Sequence, residues 1–170
     1  MWYVIQVVGG KEDETLELLR RIVDRSIVLE AFIPRRHVMH RRDGVWRTVD
    51  EILFPGYLFV VTHDPEGLVR QLRRVPRFTR LLGESNRKFV PLPAREVELL
   101  KEFGGPFHVV GMSQGVIDGD CIRIEKGPLK GREAIIRKVD RHKRIAFVEM
   151  DVMGRRKTVK LGLEIVRKSS

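Results

Sequence analysis

The chain has 170 residues, 42% of them apolar and 23 of them Gly or Pro, a globular composition that excludes the disordered and fibrous classes. One cysteine, Cys121, excludes an internal disulfide and argues against structural zinc, and no apolar run approaches the ~20 residues of a membrane span. Lys plus Arg number 33 against 23 Asp plus Glu, a net charge of +10 that calls for an anionic partner, most often nucleic acid.

The opening Met1-Trp2-Tyr3-Val4-Ile5 reads as a strand instead of an export signal, so the expected location is cytoplasmic. Trp2 to Val8 is an aromatic and β-branched run, a buried strand broken by Gly9-Gly10. Glu12-Asp13-Glu14 suits a helix N-terminus, and Leu16, Leu19, Ile22 and Val23 extend that helix to about Arg25. Leu29 to His40 is extended, and Asp43-Gly44 is a two-residue hairpin signal. The run Ile52 to Val61, punctuated by Pro55-Gly56, is too apolar for a half-exposed strand and predicts a central one. Helices are expected over Pro65–Arg74 and Pro93–Phe103, with a strand over Phe78–Leu82 between them. Strands separated by helices in this way indicate an α+β fold with an antiparallel sheet.

Near Phe103-Gly104-Gly105-Pro106 the pattern changes to short strands and glycine turns, as in a small barrel. The expected division is a first domain over 1–104, a linker over 105–116 and a second domain over 117–170. Charge divides there too, because residues 109–170 carry 15 basic and 8 acidic side chains, a net of +7.

Both halves carry a recognisable pattern. The first has Trp2-Tyr3-Val4-Ile5-Gln6, Phe54-Pro55-Gly56-Tyr57-Leu58-Phe59-Val60 and Val75-Pro76-Arg77-Phe78 with Leu81-Leu82-Gly83. It resembles the N-terminal domain of NusG-type transcription elongation factors. The second, Gly119 to Ile124, Gly127-Pro128-Leu129-Lys130-Gly131 and Ala134 to Asp140, is similar to their SH3-like KOW barrel. The resemblance implies a non-enzymatic, monomeric factor that needs no cofactor and rides on RNA polymerase. It further implies that an apolar concavity grips the coiled coil of the polymerase clamp, with Phe54, Tyr57, Phe59 and Leu82 at contact positions. Glu66 to Arg70 fall near a loop that reaches the opposite jaw.

The residues themselves leave two outcomes open for that concavity. Tyr57 and Phe59 alternate with Leu58 and Val60, so the pairs face opposite sides of the sheet. Either one pair is exposed to a partner, or helices cover both faces and all four are core.

Two cationic clusters fall on turns of the second half: Arg137, Lys138, Arg141, His142, Lys143 and Arg144, then Arg155, Arg156, Lys157 and Lys160. On neighbouring edges they would form one electropositive face that neutralises several phosphates of a structured RNA, with Arg35, Arg36, Arg41 and Arg42 in support. On separate edges they are a solvated rim. Only Phe147 offers a stacking platform in this half, which disfavours aromatic-platform binding of single strands. Leu129, Arg132 and Met153 stand where the resemblance places ribosome-contacting aromatics in general family members; Leu129, Val152 and Met153 would make a weaker patch.

This combination resembles specialised paralogues of the LoaP antiterminator type, which implies recruitment by a leader-RNA hairpin. The β-branched pairs and glycines of the second half predict a permanent barrel instead of a helical hairpin. Two alternatives stand beside this reading: a general elongation or termination cofactor that couples polymerase to ribosome or termination factor, and a KOW-type ribosome-associated RNA-binding protein. Enzymatic readings find no support. The five histidines have no metal-ligand spacing with Cys121, and Gly127 to Gly131 lacks the ending of a phosphate loop. Ser113 has no acid–base neighbours and reads as linker, while Asp118 and Asp120 shape a turn.

Overall fold

The β-branched and aromatic runs become strands and the amphipathic stretches become helices. The computed structural model describes residues 1–76, 79–85 and 88–169. In chain order, β1 (Trp2–Val7) leads to α1 (Glu12–Ile22), β2 (Val28–Phe32), β3 (Arg35–Arg42), β4 (Val45–Ile52) and β5 (Tyr57–Thr62). Next come α2 (Pro65–Leu72), β6 (Thr79–Leu81), β7 (Glu84–Ser85), β8 (Lys88–Phe89), α3 (Ala94–Gly104) and β9 (Val109–Val110). The chain ends in β10 (Ser113–Asp118), β11 (Cys121–Lys126), β12 (Ile136–Asp140), β13 (Ile145–Val152) and β14 (Arg155–Ser169).

These elements form two compact units, Met1–Pro34 with Phe54–Glu98, and Arg35–Leu53 with Leu99–Ser170. The first holds the antiparallel sheet β2-β5-β1-β6, with β5 inside it as its apolar run requires. Helix α1 ends earlier than expected, at Ile22, because Val23 turns extended while its N–H still closes on the Leu19 carbonyl. Helix α2 has Pro65 in its first turn and Asp64 as cap, its Oδ1 accepting from Gly67 N at 2.9 Å. Of the strand expected over Phe78–Leu82, Thr79–Leu81 is seen, and Phe78 lies outside the described residues.

The second unit holds the barrel sheet β11-β10-β14-β13-β12 and the three-stranded sheet β4-β3-β9. The Asp43-Gly44 turn has φ of 53° and 75°, both left-handed, the pairing a tight two-residue hairpin needs. Two glycines set the barrel's close approaches. A Cβ on Gly127 would meet the Met112 carbonyl oxygen and Ser113 Cα, each at 2.6 Å. One on Gly162 would run into Met112 Sδ and stand 2.6 Å from the His37 carbonyl oxygen, so only glycine lets β3 lie this close to β14.

Ser113 is no linker residue. It is 1% exposed, opens β10, and its Oγ accepts from Leu129 N at 3.1 Å. The stretch expected to join the halves is therefore part of the sheets from Val109 onward, apart from the short break at 111–112.

Candidate functional site

The apolar cluster on the first unit is filled by its own rings. Phe54, Tyr57 and Phe59 are 3%, 7% and 0% exposed. Phe59 stacks on Phe32 and tilts against Phe54, each at 5.7 Å between centroids, while Trp2 meets Phe32 edge-on at 5.1 Å. Tyr57 to Val60 are all buried, so of the two outcomes left open, the covered one holds. The physical reason is what lies on the faces of the sheet: the rings of Phe32 and Phe54 pack on Phe59, and α1 packs against β5. Leu82 is half-buried and is the one member of the four with appreciable surface; its N–H donates to the Val4 carbonyl at 2.8 Å. Glu66 to Arg70 lie within α2 instead of in a loop, with Glu66 and Arg70 exposed.

The two cationic turns of the barrel stand at opposite ends of one strand. Strand β13 pairs with β12 from Asp140↔Ile145 and with β14 down to Val152↔Arg155. The Arg141–Arg144 turn thus sits at its start and the Met153-Gly154 turn at its end, about 24 Å apart at ~3.4 Å per residue. Their separation is set by the length of β13. Between them, Lys138, Phe147 and Lys160 are cross-strand partners, and both ammonium groups stand over the Phe147 ring, at 5.6 and 5.8 Å.

Local wiring separates the two ends. Toward the Gly154 end, Glu149 takes Arg137 at 3.1 Å and Arg156 at 3.4 Å, and Asp151 takes Arg156 at 3.4 Å. Arg155 is exposed and Lys157 half-buried there. At the other end Arg141 and Lys143 are exposed and make no ion pair among the described residues. Arg144 is drawn inward: its guanidinium lies 4.0 Å from the centroid of the Trp46 ring and 3.7 Å from Glu164.

Sequence order hid Trp46, which belongs to the β3–β4 hairpin nearly 100 residues upstream. That hairpin joins the barrel in the second unit and brings Arg41, the cross-strand partner of Trp46, with it. A cavity of about 310 Å³ is lined by Met39, His40, Arg41 and Trp46 of the hairpin and by His142, Lys143 and Ile145 of the barrel. An aromatic in a strand otherwise flanked by arginines was the available signal.

The supporting arginines divide. Arg41 and Arg42 are exposed and Arg35 is half-buried, but Arg36 is 9% exposed and faces Glu51 at 3.5 Å. Burial pulls the Arg36 pKa down and Glu51 only partly opposes this, so Arg36 serves the hairpin's packing and not a phosphate. The weaker apolar patch expected from Leu129, Val152 and Met153 is also corrected. Leu129 and Val152 are 0% and 1% exposed, and only Met153 has surface. Arg132 is paired with Glu102 and lies 5.5 Å from the Phe103 ring centroid.

Compared with known proteins, residues 1–101 match the family model described as "Transcription termination factor nusG". A protein of Lactococcus lactis named "Transcription termination/antitermination protein NusG" is 30% identical, the match covering 95% of this chain and 89% of the relative. Its namesake in Buchnera aphidicola subsp. Acyrthosiphon pisum is 25% identical over 99% and 96%. A solved structure described as "Domain interaction in Thermotoga maritima NusG" is similar in fold, with a TM-score of 0.57 at 23% identity over 96% of this chain and 93% of that one.

Proposed function

The chain belongs to the NusG family, whose members it matches in both halves, and on that premise we propose that it is a processive transcription antitermination and elongation factor with no enzymatic activity. In this reading residues 1–104 bind the coiled coil of the RNA polymerase clamp, residues 105–116, which carry β9 and the start of β10, connect the two functions, and 117–170 form the KOW domain. A structured leader RNA recruits the factor through its basic surfaces. The factor acts in the cytoplasm as a monomer.

On the first lobe, Phe54, Tyr57 and Phe59 act as the packed floor of the polymerase surface, since rings at most 7% exposed give a partner little to touch. Leu82 is the direct contact. On the barrel, Arg141 and Lys143 bear on phosphates first, because no carboxylate has to be displaced before they do. Arg137, Lys138, Arg144, Arg155, Arg156 and Lys157 extend the surface.

The observation that carries the RNA reading is that Arg141 and Lys143 are exposed at the Arg141–Arg144 turn and make no ion pair among the described residues, on the half of the chain that holds +7 of the +10. Reconstituted transcription through two consecutive terminators, with and without a cognate leader, tests it. Readthrough at the distal terminator that requires the leader is the expected result. Readthrough independent of the leader favours the general cofactor instead.

A further inference from the structure

We propose that the cavity between the β3–β4 hairpin and the β12–β13 turn is a base-binding slot that takes one unpaired nucleotide of the RNA. The inference deepens the RNA reading above and rests on it. Four features of the lining set the ligand class. The indole of Trp46 and the imidazoles of His40 and His142 are flat and stack on flat rings. Met39 and Ile145 add an apolar floor. Arg41 and Lys143 are exposed cations at the same cavity, placed to meet a phosphate. No carboxylate is among these lining residues, and the nearby ones are engaged: Asp140 Oδ1 accepts from Lys143 N at 3.0 Å, and Glu51 faces Arg36 and His40 at 3.5 and 3.7 Å. A nucleotide is planar, aromatic and anionic at once, and it is the ligand that uses all of these. The volume of about 310 Å³ is at the small end of ligand pockets and suits one base with its sugar, not a stacked run.

A second observation points the same way. Arg144 takes a left-handed φ of 56°, where a glycine would be free of strain, and from there its guanidinium covers Trp46. The backbone thus holds a costly conformation at the residue that fixes the stacking ring. The hairpin thereby adds the flat ring that the second half of the sequence, with Phe147 alone, does not offer.

The test uses the full chain and two blunt-ended double-stranded RNA stems without loops that differ by one bulged adenosine, followed by fluorescence anisotropy. The wild type should bind the bulged stem about ten-fold more tightly than the fully paired one, the scale of one base–aromatic stack. Trp46→Leu and His142→Ala, the latter at an exposed side chain, should each remove most of that preference and leave the paired stem's affinity unchanged. Equal binding of the two stems by the wild type overturns the slot while leaving the RNA reading intact. Loss of both affinities in equal measure in the variants also overturns it. If neither stem binds better than scrambled RNA, the RNA reading fails, and the slot is judged separately with adenosine monophosphate. Quenching of Trp46 emission in a Trp2→Phe background then supports the slot, and unchanged emission removes it.

Discussion

The two ends of β13 carry comparable sets of cations and differ in what those cations face. At the Gly154 end Glu149 and Asp151 lie on the outward face of the strand and hold Arg137 and Arg156. At the Arg141–Arg144 end no carboxylate of β13 is within reach, Arg141 and Lys143 make no ion pair among the described residues, and Arg144 turns to an aromatic ring and to Glu164. Net charge alone ranks the ends as equals. Pairing does not: at the Gly154 end a phosphate must displace a carboxylate to reach Arg137 or Arg156, while Arg155 is exposed, and at the other end it displaces only water from Arg141 and Lys143.

The strongest way to break this contrast is to separate the hairpin from the barrel. Gly162→Ala places a methyl against the His37 carbonyl and Met112 Sδ, with backbone on one side and no room to relax. The expected cost is about 3 kcal/mol, the upper part of the range for overpacking, read as a lower midpoint in thermal unfolding by circular dichroism. The same variant should lose any preference for bulged RNA, since Trp46 no longer meets Arg144. A midpoint equal to the wild type would mean that β3 does not press on β14 in solution.

Next in size is a direct exchange of charges. Arg141→Ala with Lys143→Ala should weaken RNA binding about 30-fold and flatten the slope of log affinity against log salt by about 2. Arg137→Ala with Arg156→Ala removes as many cations and should cost less than about 5-fold, because the two are already paired with Glu149 and Asp151. Equal losses would put the ends back on one footing. Titrations at several salt concentrations read both quantities.

Much of this arrangement is legible in the sequence, and the part that is not has a common cause. The central strand over Tyr57–Thr62, the Asp43-Gly44 hairpin and helices α1 and α2 follow from local apolar runs, turn residues, the first-turn acids and Pro65. What local pattern does not carry is which face of a strand meets which distant element. Tyr57 and Phe59 alternate with Leu58 and Val60 in a way that fits one open face as well as none, and the ring stack with Phe32 and Phe54 decides it. The pairing of β13 with β12 and β14 puts the two cationic turns at opposite ends, although they are close in sequence. Trp46 and Arg144 meet only because Gly162 admits β3, a relation between three segments that no spacing rule encodes.

A gain-of-function variant sharpens the comparison from the other side. Glu149→Gln removes the charge that binds Arg137 and Arg156 while keeping size and hydrogen-bonding capacity. RNA affinity should rise about 3- to 5-fold and the salt slope should steepen, with a change in stability below about 1 kcal/mol. Unchanged affinity would show that the Gly154 end does not touch RNA even when its cations are released, and the whole interface would then lie at the other end.

The smallest expected effect concerns Arg144, where two contributions oppose each other. Glycine at a left-handed position relieves about 1 kcal/mol of backbone strain, while losing the ring contact and the approach to Glu164 costs a similar amount. Glycine also loosens the unfolded chain, which shifts the balance slightly toward loss. Arg144→Gly should therefore fall within about 0.5 kcal/mol of the wild type in denaturant unfolding, with Trp46 emission shifted to the red as the indole is uncovered. Arg144→Lys keeps the charge and the strain but lacks the flat guanidinium, so it should be the less stable of the two. If glycine instead stabilises the protein by a full kcal/mol with no change in Trp46 emission, the guanidinium does not rest on the ring, and the left-handed turn has no functional counterpart in the slot.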